Sequence, residues 1–317
     1  MTPQAEKLCA LPRGSKILVT GANGFIGSHV VNCLLELGYI VHGTVRSPKP
    51  WLDEFFASIY GPGAFKAVTV PDFDHVELLA REMEGIVDAS DLTFGNDPNA
   101  VIPWVVRATQ NILEAAAKTP SVKRVVLTSS STAALTPIPN HRVRVDENTW
   151  NDDAVKAAWE QNPDDERLGL NVYSASKTEG ERQAWKWIKD NNPGFDFNAV
   201  GKILHSQIGG STAAYVRGLW FVDVVDTARL HVIALLNPDL KSQRIFAFAA
   251  PFQLQDFVNI LRMLRPGAQI PDARVNEGVD LSEIVPSADA ENLLKTIYGQ
   301  EGWTTLEDSL ARTIEDI

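Results

Sequence analysis

Lys16–Val30 reads KILVTGANGFIGSHV and sets three glycines between two apolar stretches. A short apolar run closed by glycine is typical of a buried strand, and apolar residues at helical spacing follow the last glycine. In this context Gly21 allows a tight turn, Gly24 lets the backbone approach a pyrophosphate, and Gly27 lets the helix pack closely on a sheet. The stretch therefore predicts a strand, a phosphate-binding loop and a helix, with a plain flexible turn as the alternative.

The helix that follows the loop adds a second reason to expect phosphate there. The first N–H groups of a helix have no partner within it, and the positive end of its dipole attracts anions. The residues expected to bind a dinucleotide through this loop are Gly21, Asn23, Gly24, Phe25, Ile26 and Gly27.

Strands and helices are predicted to alternate along the following residues. The predicted strands cover 16–21, 40–46, 65–72, 86–90, 123–130 and 195–200, and the predicted helices cover 25–39, 51–60, 75–85, 101–119 and 172–191. This alternation favours βαβ units and a parallel sheet covered by helices on both faces. After residue 200 the rhythm loosens, with a helix at 224–236, a strand at 244–250, a helix at 252–264 and a last helix from Leu306.

Composition excludes several classes of partner. The 317 residues carry a net charge of −11, and no basic run or stripe is present, which argues against nucleic acid or an anionic membrane as a partner. Cys9 and Cys33 are too few for a disulfide framework, and neither they nor the six histidines show metal-ligand spacing. With no signal-like N-terminus and no apolar run of membrane-spanning length, we expect a cytoplasmic protein without a metal site.

The end of the second predicted strand indicates which dinucleotide binds. An acidic residue there is typical of NAD binding, because it accepts a hydrogen bond from the ribose 2′-hydroxyl. Here Thr44 stands in that region, and Arg46 and Lys49 follow, which favours the 2′-phosphate of NADP over a merely solvated loop charge. Asp72, after the third strand, is a candidate contact to the adenine amine, and a simple turn-forming aspartate is an equal alternative.

A tyrosine and a lysine lie four residues apart in YSASK, on a predicted helix. This spacing puts Tyr173 and Lys177 on one helix face, where the cation lowers the pKa of the phenol and makes it a usable proton donor. VLTSSS places Ser129–Ser131 at the carboxyl end of the fifth strand, the edge where open α/β sheets bind ligands. These features predict a catalytic set; an ordinary helical pair and a polar strand end are the alternative.

Together these motifs resemble the extended short-chain dehydrogenase/reductase family, and within it the dihydroflavonol-reductase-like group that includes fungal and yeast aldehyde and carbonyl reductases. The resemblance runs from Lys16 to Leu236 and recurs near the C-terminus. The matching stretches are VTGANGFIGSHVV, GTVRSP, TPSVKRVVLTSSS, YSASKTEGERQAWK, FVDVVDTARLHVIALL and GWTTLEDSL.

The resemblance implies an α/β fold with a Rossmann-type doubly wound parallel sheet and a small C-terminal substrate lobe. Residues 1–200 would form the NADP-binding Rossmann domain and 201–317 mainly the lobe, with 222–250 returning to the Rossmann core. Ser130 would be the catalytic serine, Tyr173 the acid, and Lys177 its partner and a ligand of the nicotinamide ribose. The implied activity is NADPH-dependent reduction of a small aldehyde or ketone by a monomer or homodimer.

Three places depart from the family pattern by being shorter. They lie at the end of the fourth strand near Ser90, after the sixth strand near Gly201, and just before Trp220. These segments border the cofactor or cover the substrate in the family. A missing turn there would displace reacting groups, and small displacements lower the reaction rate steeply. A catalytically weak or inactive NADP-binding regulatory protein is therefore the alternative function. An epimerase or dehydratase is a weaker third reading, because such enzymes usually hold NAD.

Overall fold

The computed structural model describes residues 7–70, 80–89, 95–162, 165–202, 219–273 and 278–315. The strands are β1 (Lys16–Thr20), β2 (Ile40–Val45), β3 (Phe65–Thr69), β4 (Gly85–Asp88), β5 (Arg124–Ser130), β6 (Arg144–Val145), β7 (Asp196–Lys202), β8 (Leu219–Phe221), β9 (Arg244–Ala247), β10 (Ala250–Phe252) and β11 (Glu283–Ile284). The helices are α1 (Phe25–Glu36), α2 (Pro50–Tyr60), α3 (Pro98–Ala117), α4 (Asp152–Glu160), α5 (Leu168–Asn191), α6 (Val224–Leu236), α7 (Leu254–Leu264), α8 (Ser287–Leu293) and α9 (Leu306–Thr313). A 3-10 turn covers Ser131–Ala133, and a π-helical turn covers Leu294–Tyr298.

Seven of the described strands form one parallel sheet in the order β3-β2-β1-β4-β5-β7-β9. The chain moves outward from β1 to β3, and then crosses to the other side of β1 and continues from β4 to β9. The carboxyl ends beside that reversal are where open α/β sheets bind their ligands. The predicted α/β fold with a doubly wound parallel sheet is confirmed.

Helices cover both faces of the sheet, and each strand divides its side chains between them. In β1, Leu18 belongs to the apolar cluster that contains residues of α3 and α5, and Val19 belongs to the cluster that contains residues of α1 and α6. Ile86 and Val87 of β4 divide in the same way. Successive strand residues point to opposite faces, so Asp88 is directed to the same face as Ile86, toward α3 and α5.

The C-terminal residues are fastened to α6 through buried carboxylates. Asp226 is fully buried and accepts hydrogen bonds from the Thr304 N–H at 2.8 Å, the Thr304 hydroxyl at 3.1 Å and the Gln300 amide at 2.9 Å. Asp223, which caps α6, pairs with Arg312 at 3.1 Å. The residues after 300 therefore pack on α6, one of the helices that cover the sheet. The division of the chain into domains at residue 200 stays a prediction.

Several element boundaries differ from the predicted ones. The predicted strand 244–250 ends at Ala247, and β10 begins at Ala250. Helix α3 begins three residues earlier than predicted, because Asp97 accepts a hydrogen bond from the Asn99 N–H and Pro98 occupies the first turn. Helix α4, which was not predicted, begins after Asn151, whose side chain accepts from the Ala154 N–H. Residues 71–79, which include the first five residues of the helix predicted at 75–85, lie outside the described residues.

A buried histidine joins α6 to β5. The Nε2 atom of His231 lies 2.9 Å from the Thr128 hydroxyl, and its Nδ1 lies 2.8 Å from the Thr227 carbonyl. A carbonyl only accepts, so Nδ1 carries the proton and Nε2 accepts from Thr128. Burial lowers the pKa of His231 to about 4 from its usual value of 6.5.

We expect this histidine to make the fold acid-sensitive. Below pH 6.5 the unfolded chain binds a proton at His231, whereas the folded protein binds it only below about pH 4. The free energy of unfolding therefore falls as the pH drops through that window. Between pH values of about 7.5 and 5 the loss from this group is about 2 kcal/mol. Urea unfolding of the wild type and His231→Gln at both pH values measures it. An equal pH dependence in the two proteins would contradict the assignment.

Candidate active site

The loop after β1 has a shape that requires glycine. Gly21 has a φ of +61°, in the left-handed region that side chains disfavour. A Cβ on Gly27 would lie 2.2 Å from the Gly21 carbonyl oxygen, and a Cβ on Gly24 would lie 3.1 Å from the same atom. The loop therefore folds tightly over its own first residue, as the sequence indicated.

The loop leads into a helix terminus that suits a pyrophosphate. Gly24 is the N-cap of α1 in extended backbone, and no side chain caps the helix. Asn23, Gly24 and Phe25 are exposed, whereas Ile26 and Gly27 are buried against the core. Backbone N–H groups and the positive end of the helix dipole face an uncovered surface, so the residues present fit a dinucleotide.

Thr44 has a structural part in this loop. Its hydroxyl oxygen accepts a hydrogen bond from the Gly21 N–H at 3.1 Å, and its carbonyl accepts from the Ala22 N–H at 3.1 Å. Its side chain is buried and braces the loop. Beyond it Arg46 is exposed and Lys49 is half-buried, in the turn between β2 and α2. Asp72 lies outside the described residues.

The three predicted catalytic residues lie on neighbouring elements. Ser130 ends β5, where its Oγ accepts from the Thr132 N–H at 3.2 Å and lies 3.0 Å from the Thr132 hydroxyl. Tyr173 and Lys177 lie on α5, with the lysine Nζ 5.8 Å from the centre of the tyrosine ring. All three predicted residues are buried, and α5 packs against β5 and against the 3-10 turn that follows Ser130. Their catalytic roles stay predictions.

A buried ion pair that the sequence interpretation missed supports this arrangement. Glu181, one turn after Lys177, accepts hydrogen bonds from the Ser129 hydroxyl at 2.6 Å and from the Arg244 Nε at 2.7 Å. The Arg244 guanidinium also stacks on Trp150, 3.8 Å from the ring centre. One carboxylate thus joins β5, α5 and β9 beside the predicted catalytic residues. Its spacing from Tyr173 and Lys177, eight and four residues, places it on the same helix face and was the available signal.

A second carboxylate that was missed lies at the end of β4. Asp88 is 4 % exposed and accepts a hydrogen bond from the Thr20 hydroxyl at 2.5 Å. It borders a cavity of about 20 Å³, which is room for about one water molecule. The residues that line this cavity are Asp88, Val105, Thr109, Leu127, Thr128, Ser129, Ser176, Lys177, Gly180 and Glu181.

Two predicted absences concern metals and membranes. Among the described residues no group of three or more His, Cys, Asp or Glu side chains is placed to hold a metal ion. Within the same ranges, every helix is too short or too polar to traverse a lipid bilayer.

Comparison with known proteins gives a family and several relatives. Residues 17–211 match the model of the NAD dependent epimerase/dehydratase family. Ketoreductase adrE of Penicillium rubens is 44 % identical, over 95 % of this chain and 96 % of that protein. Aldehyde reductase 2 of Sporidiobolus salmonicolor is 36 % identical, over 95 % of each chain. The solved structure of Gre2 from Candida albicans in complex with NADPH has a TM-score of 0.75 at 27 % identity, over 93 % of this chain and 96 % of that one.

The alignment with the Penicillium ketoreductase also bears on the chain's length. It spans 330 positions, whereas this chain has 317 residues, so at least 13 positions of that relative have no counterpart here. The relative therefore has aligned positions that this chain lacks. The assignment of the shortening to the segments near Ser90, Gly201 and Trp220 stays a prediction.

Proposed function

The chain belongs to the NAD-dependent epimerase/dehydratase family, the extended short-chain dehydrogenases/reductases, and we propose that it reduces the carbonyl group of a small ketone or aldehyde with NADPH. The predicted family is confirmed, and the chain is an NADP-dependent oxidoreductase. The observation that carries the proposal is the placement of the Tyr173–Lys177 pair and Ser130 at the carboxyl edge of a sheet that also carries the glycine loop.

The residues proposed to hold the cofactor lie along that edge. The loop from Gly21 to Gly27 would bind the pyrophosphate at the N-terminus of α1, where no side chain competes for the N–H groups. Arg46 and Lys49 would bind the 2′-phosphate, and the related Gre2 structure is an NADPH complex. Asp72 remains a proposed contact to the adenine amine. When bound, NADPH supplies the hydride for the carbonyl carbon.

The remaining chemistry belongs to the chain's own side chains. We propose that Tyr173 donates its phenolic proton to the carbonyl oxygen and that Ser130 orients that oxygen by a hydrogen bond. The Lys177 ammonium, 5.8 Å from the ring centre, favours the ionised phenol and so makes Tyr173 a stronger acid. Lys177 would also bind the nicotinamide ribose. The substrate class is supported by the printed activities of the relatives, a ketoreductase and an aldehyde reductase.

A binding measurement followed by a turnover measurement tests the function. NADPH binding is titrated by fluorescence, and a panel of small ketones and aldehydes is then screened by the loss of NADPH absorbance. Binding with turnover of at least one carbonyl compound is the expected result. Tight binding with no turnover across the panel would instead support the NADP-binding regulatory protein, an alternative that the missing internal positions favour.

Arg46 is expected to decide between the two dinucleotides. Arg46→Ala should weaken NADPH binding by about 10- to 100-fold, because a charge-assisted pair with the 2′-phosphate is lost, and should leave NADH binding nearly unchanged. Fluorescence titration with both cofactors measures the effect. Arg13→Ala, which removes an exposed arginine that precedes β1, is the matched control. An equal loss for NADPH and NADH would contradict the assignment to the 2′-phosphate.

A further inference from the structure

Thr132 contacts the side chain of Ser130 through two of its groups. Its backbone N–H donates to the Ser130 Oγ at 3.2 Å, and its hydroxyl oxygen lies 3.0 Å from the same atom. Both distances are those of ordinary hydrogen bonds. The two residues are buried, at 3 % exposure for Ser130 and 8 % for Thr132. Ser130 is also the N-cap of the 3-10 turn that carries Thr132, so the position of its hydroxyl oxygen is fixed.

The number of hydrogens in this pair limits how it can be arranged. A hydroxyl carries one hydrogen, and its oxygen can accept two hydrogen bonds. Two hydroxyls that face each other share a single hydrogen, so one of them donates and the other keeps its hydrogen for a different acceptor. If Ser130 donates to Thr132, its hydrogen is used within the turn. If Thr132 donates, the Ser130 oxygen accepts from both the Thr132 hydroxyl and the Thr132 N–H, and the Ser130 hydrogen is available to a substrate.

The turn that carries Thr132 is held in place by Asn151, the N-cap residue of α4. The Asn151 side-chain amide donates to the Thr132 carbonyl at 2.8 Å, and its backbone N–H donates to the Ala133 carbonyl at 3.0 Å. Its side-chain oxygen accepts from the Ala154 N–H at 3.2 Å, which fixes the orientation of the amide. Helix α5, which carries Tyr173, packs against the same turn. The position of Thr132 is therefore fixed relative to the helix of the proposed acid.

We propose that Thr132 donates its hydroxyl hydrogen to Ser130 and so directs the Ser130 hydrogen toward the substrate carbonyl. The inference rests on the proposed function, in which Ser130 donates to the carbonyl oxygen. Thr132 is a positioning residue, because it acts through Ser130. A hydroxyl that already accepts two hydrogen bonds is polarised and becomes a stronger donor. It also needs no rotation when the carbonyl binds, and donors oriented in advance stabilise the negative charge that develops on the oxygen.

Thr132→Val tests the proposal, because valine keeps the branched shape and the backbone N–H and removes the hydroxyl. We expect kcat for the best substrate of the panel to fall about tenfold, since a hydrogen bond that orients Ser130 is lost. The Kd of NADPH, measured by fluorescence, should be unchanged. Thr132→Ser, which keeps the hydroxyl, should turn over at nearly the wild-type rate. Wild-type turnover in Thr132→Val, or an equal loss in Thr132→Ser, overturns the proposal.

A second background shows whether Thr132 acts through Ser130. In a Ser130→Ala protein the oxygen that Thr132 orients is absent, so Thr132→Val should cause no further loss of turnover. The same tenfold loss in both backgrounds would make the role of Thr132 structural and overturn the proposal. Thr119→Val is the matched control: it removes a hydroxyl that donates to the Ala115 carbonyl at 2.9 Å, just after α3, and should turn over as the wild type does. If Thr132→Val does not fold, Thr132→Ala takes its place in both comparisons.

The positions of the hydroxyl hydrogens separate this proposal from the proposed function. Neutron diffraction from deuterated crystals of the wild type locates them and needs no turnover. We expect the Thr132 deuterium between the two oxygens and the Ser130 deuterium directed away from Thr132. If the wild type reduces no carbonyl compound, the reductase function fails, and this measurement still decides the orientation of the Ser130 hydroxyl. A Ser130 deuterium that points at the Thr132 oxygen overturns the proposal.

Discussion

Replacement of Tyr173 by phenylalanine is expected to lower the rate of carbonyl reduction by about a thousandfold while NADPH still binds. The phenol is the proposed proton donor, and general acids contribute about 10²- to 10⁴-fold to rates. The ring stays in place, so the packing of α5 against the sheet is kept. Turnover with the best substrate of the panel and fluorescence titration of NADPH are the two measurements.

A second tyrosine, which is partly buried, provides the control for that variant. Tyr298 lies in the π-helical turn near the C-terminus, and the Arg229 guanidinium lies 4.9 Å from its ring centre. Tyr298→Phe removes the same atom at a remote site and should leave turnover unchanged. Wild-type turnover in Tyr173→Phe would remove the tyrosine from the mechanism, and a parallel loss of NADPH binding would point to a structural role.

Replacement of Gly27 by valine is expected to weaken NADPH binding by at least about 100-fold, that is by about 2.7 kcal/mol. A Cβ at this position would lie 2.2 Å from the Gly21 oxygen and 2.9 Å from its carbonyl carbon. Both are backbone atoms, so no side chain can move aside, and the loop itself must open. A change in the loop displaces the N–H groups that face the proposed pyrophosphate site.

The control for Gly27→Val is a glycine with free space around it. A Cβ on Gly194, in the turn before β7, meets nothing within 4 Å. Gly194→Ala should bind NADPH as the wild type does. Circular dichroism and thermal unfolding establish whether Gly27→Val keeps its fold. A folded Gly27→Val protein that binds NADPH normally would disprove the assigned loop.

Local sequence patterns are enough to predict the fold and the proposed catalytic set. The glycine loop and the Tyr173–Lys177 spacing each lie within a few residues, so the sequence displays them directly. Glu181 and Arg244 are 63 residues apart and meet only because β9 lies beside β7 at the edge of the sheet. Asp88 and Lys177 come to line one cavity through the same tertiary packing, which no local pattern encodes.

Thr44 shows a different limit of the sequence interpretation. The absence of an acidic residue there favours NADP, and the structure adds that the threonine hydroxyl oxygen accepts a hydrogen bond from the Gly21 N–H. Such a contact depends on how closely β2 approaches the loop, and spacing along the chain does not report that distance. The roles of Ser130, Tyr173 and Lys177 remain predictions on which the experiments above bear directly.

The bonds between α6 and the C-terminal residues affect how the protein matures during synthesis. Translation proceeds from the N-terminus, so all seven strands of the sheet emerge from the ribosome before Gln300 and Thr304. Until then the Asp226 carboxylate lacks the donors that satisfy it in the finished protein, and an unsatisfied buried carboxylate is costly. We therefore expect the first turn of α6 to stay open to water in the nascent chain. The fold is completed when the residues that include Gln300 and Thr304 pack on this helix.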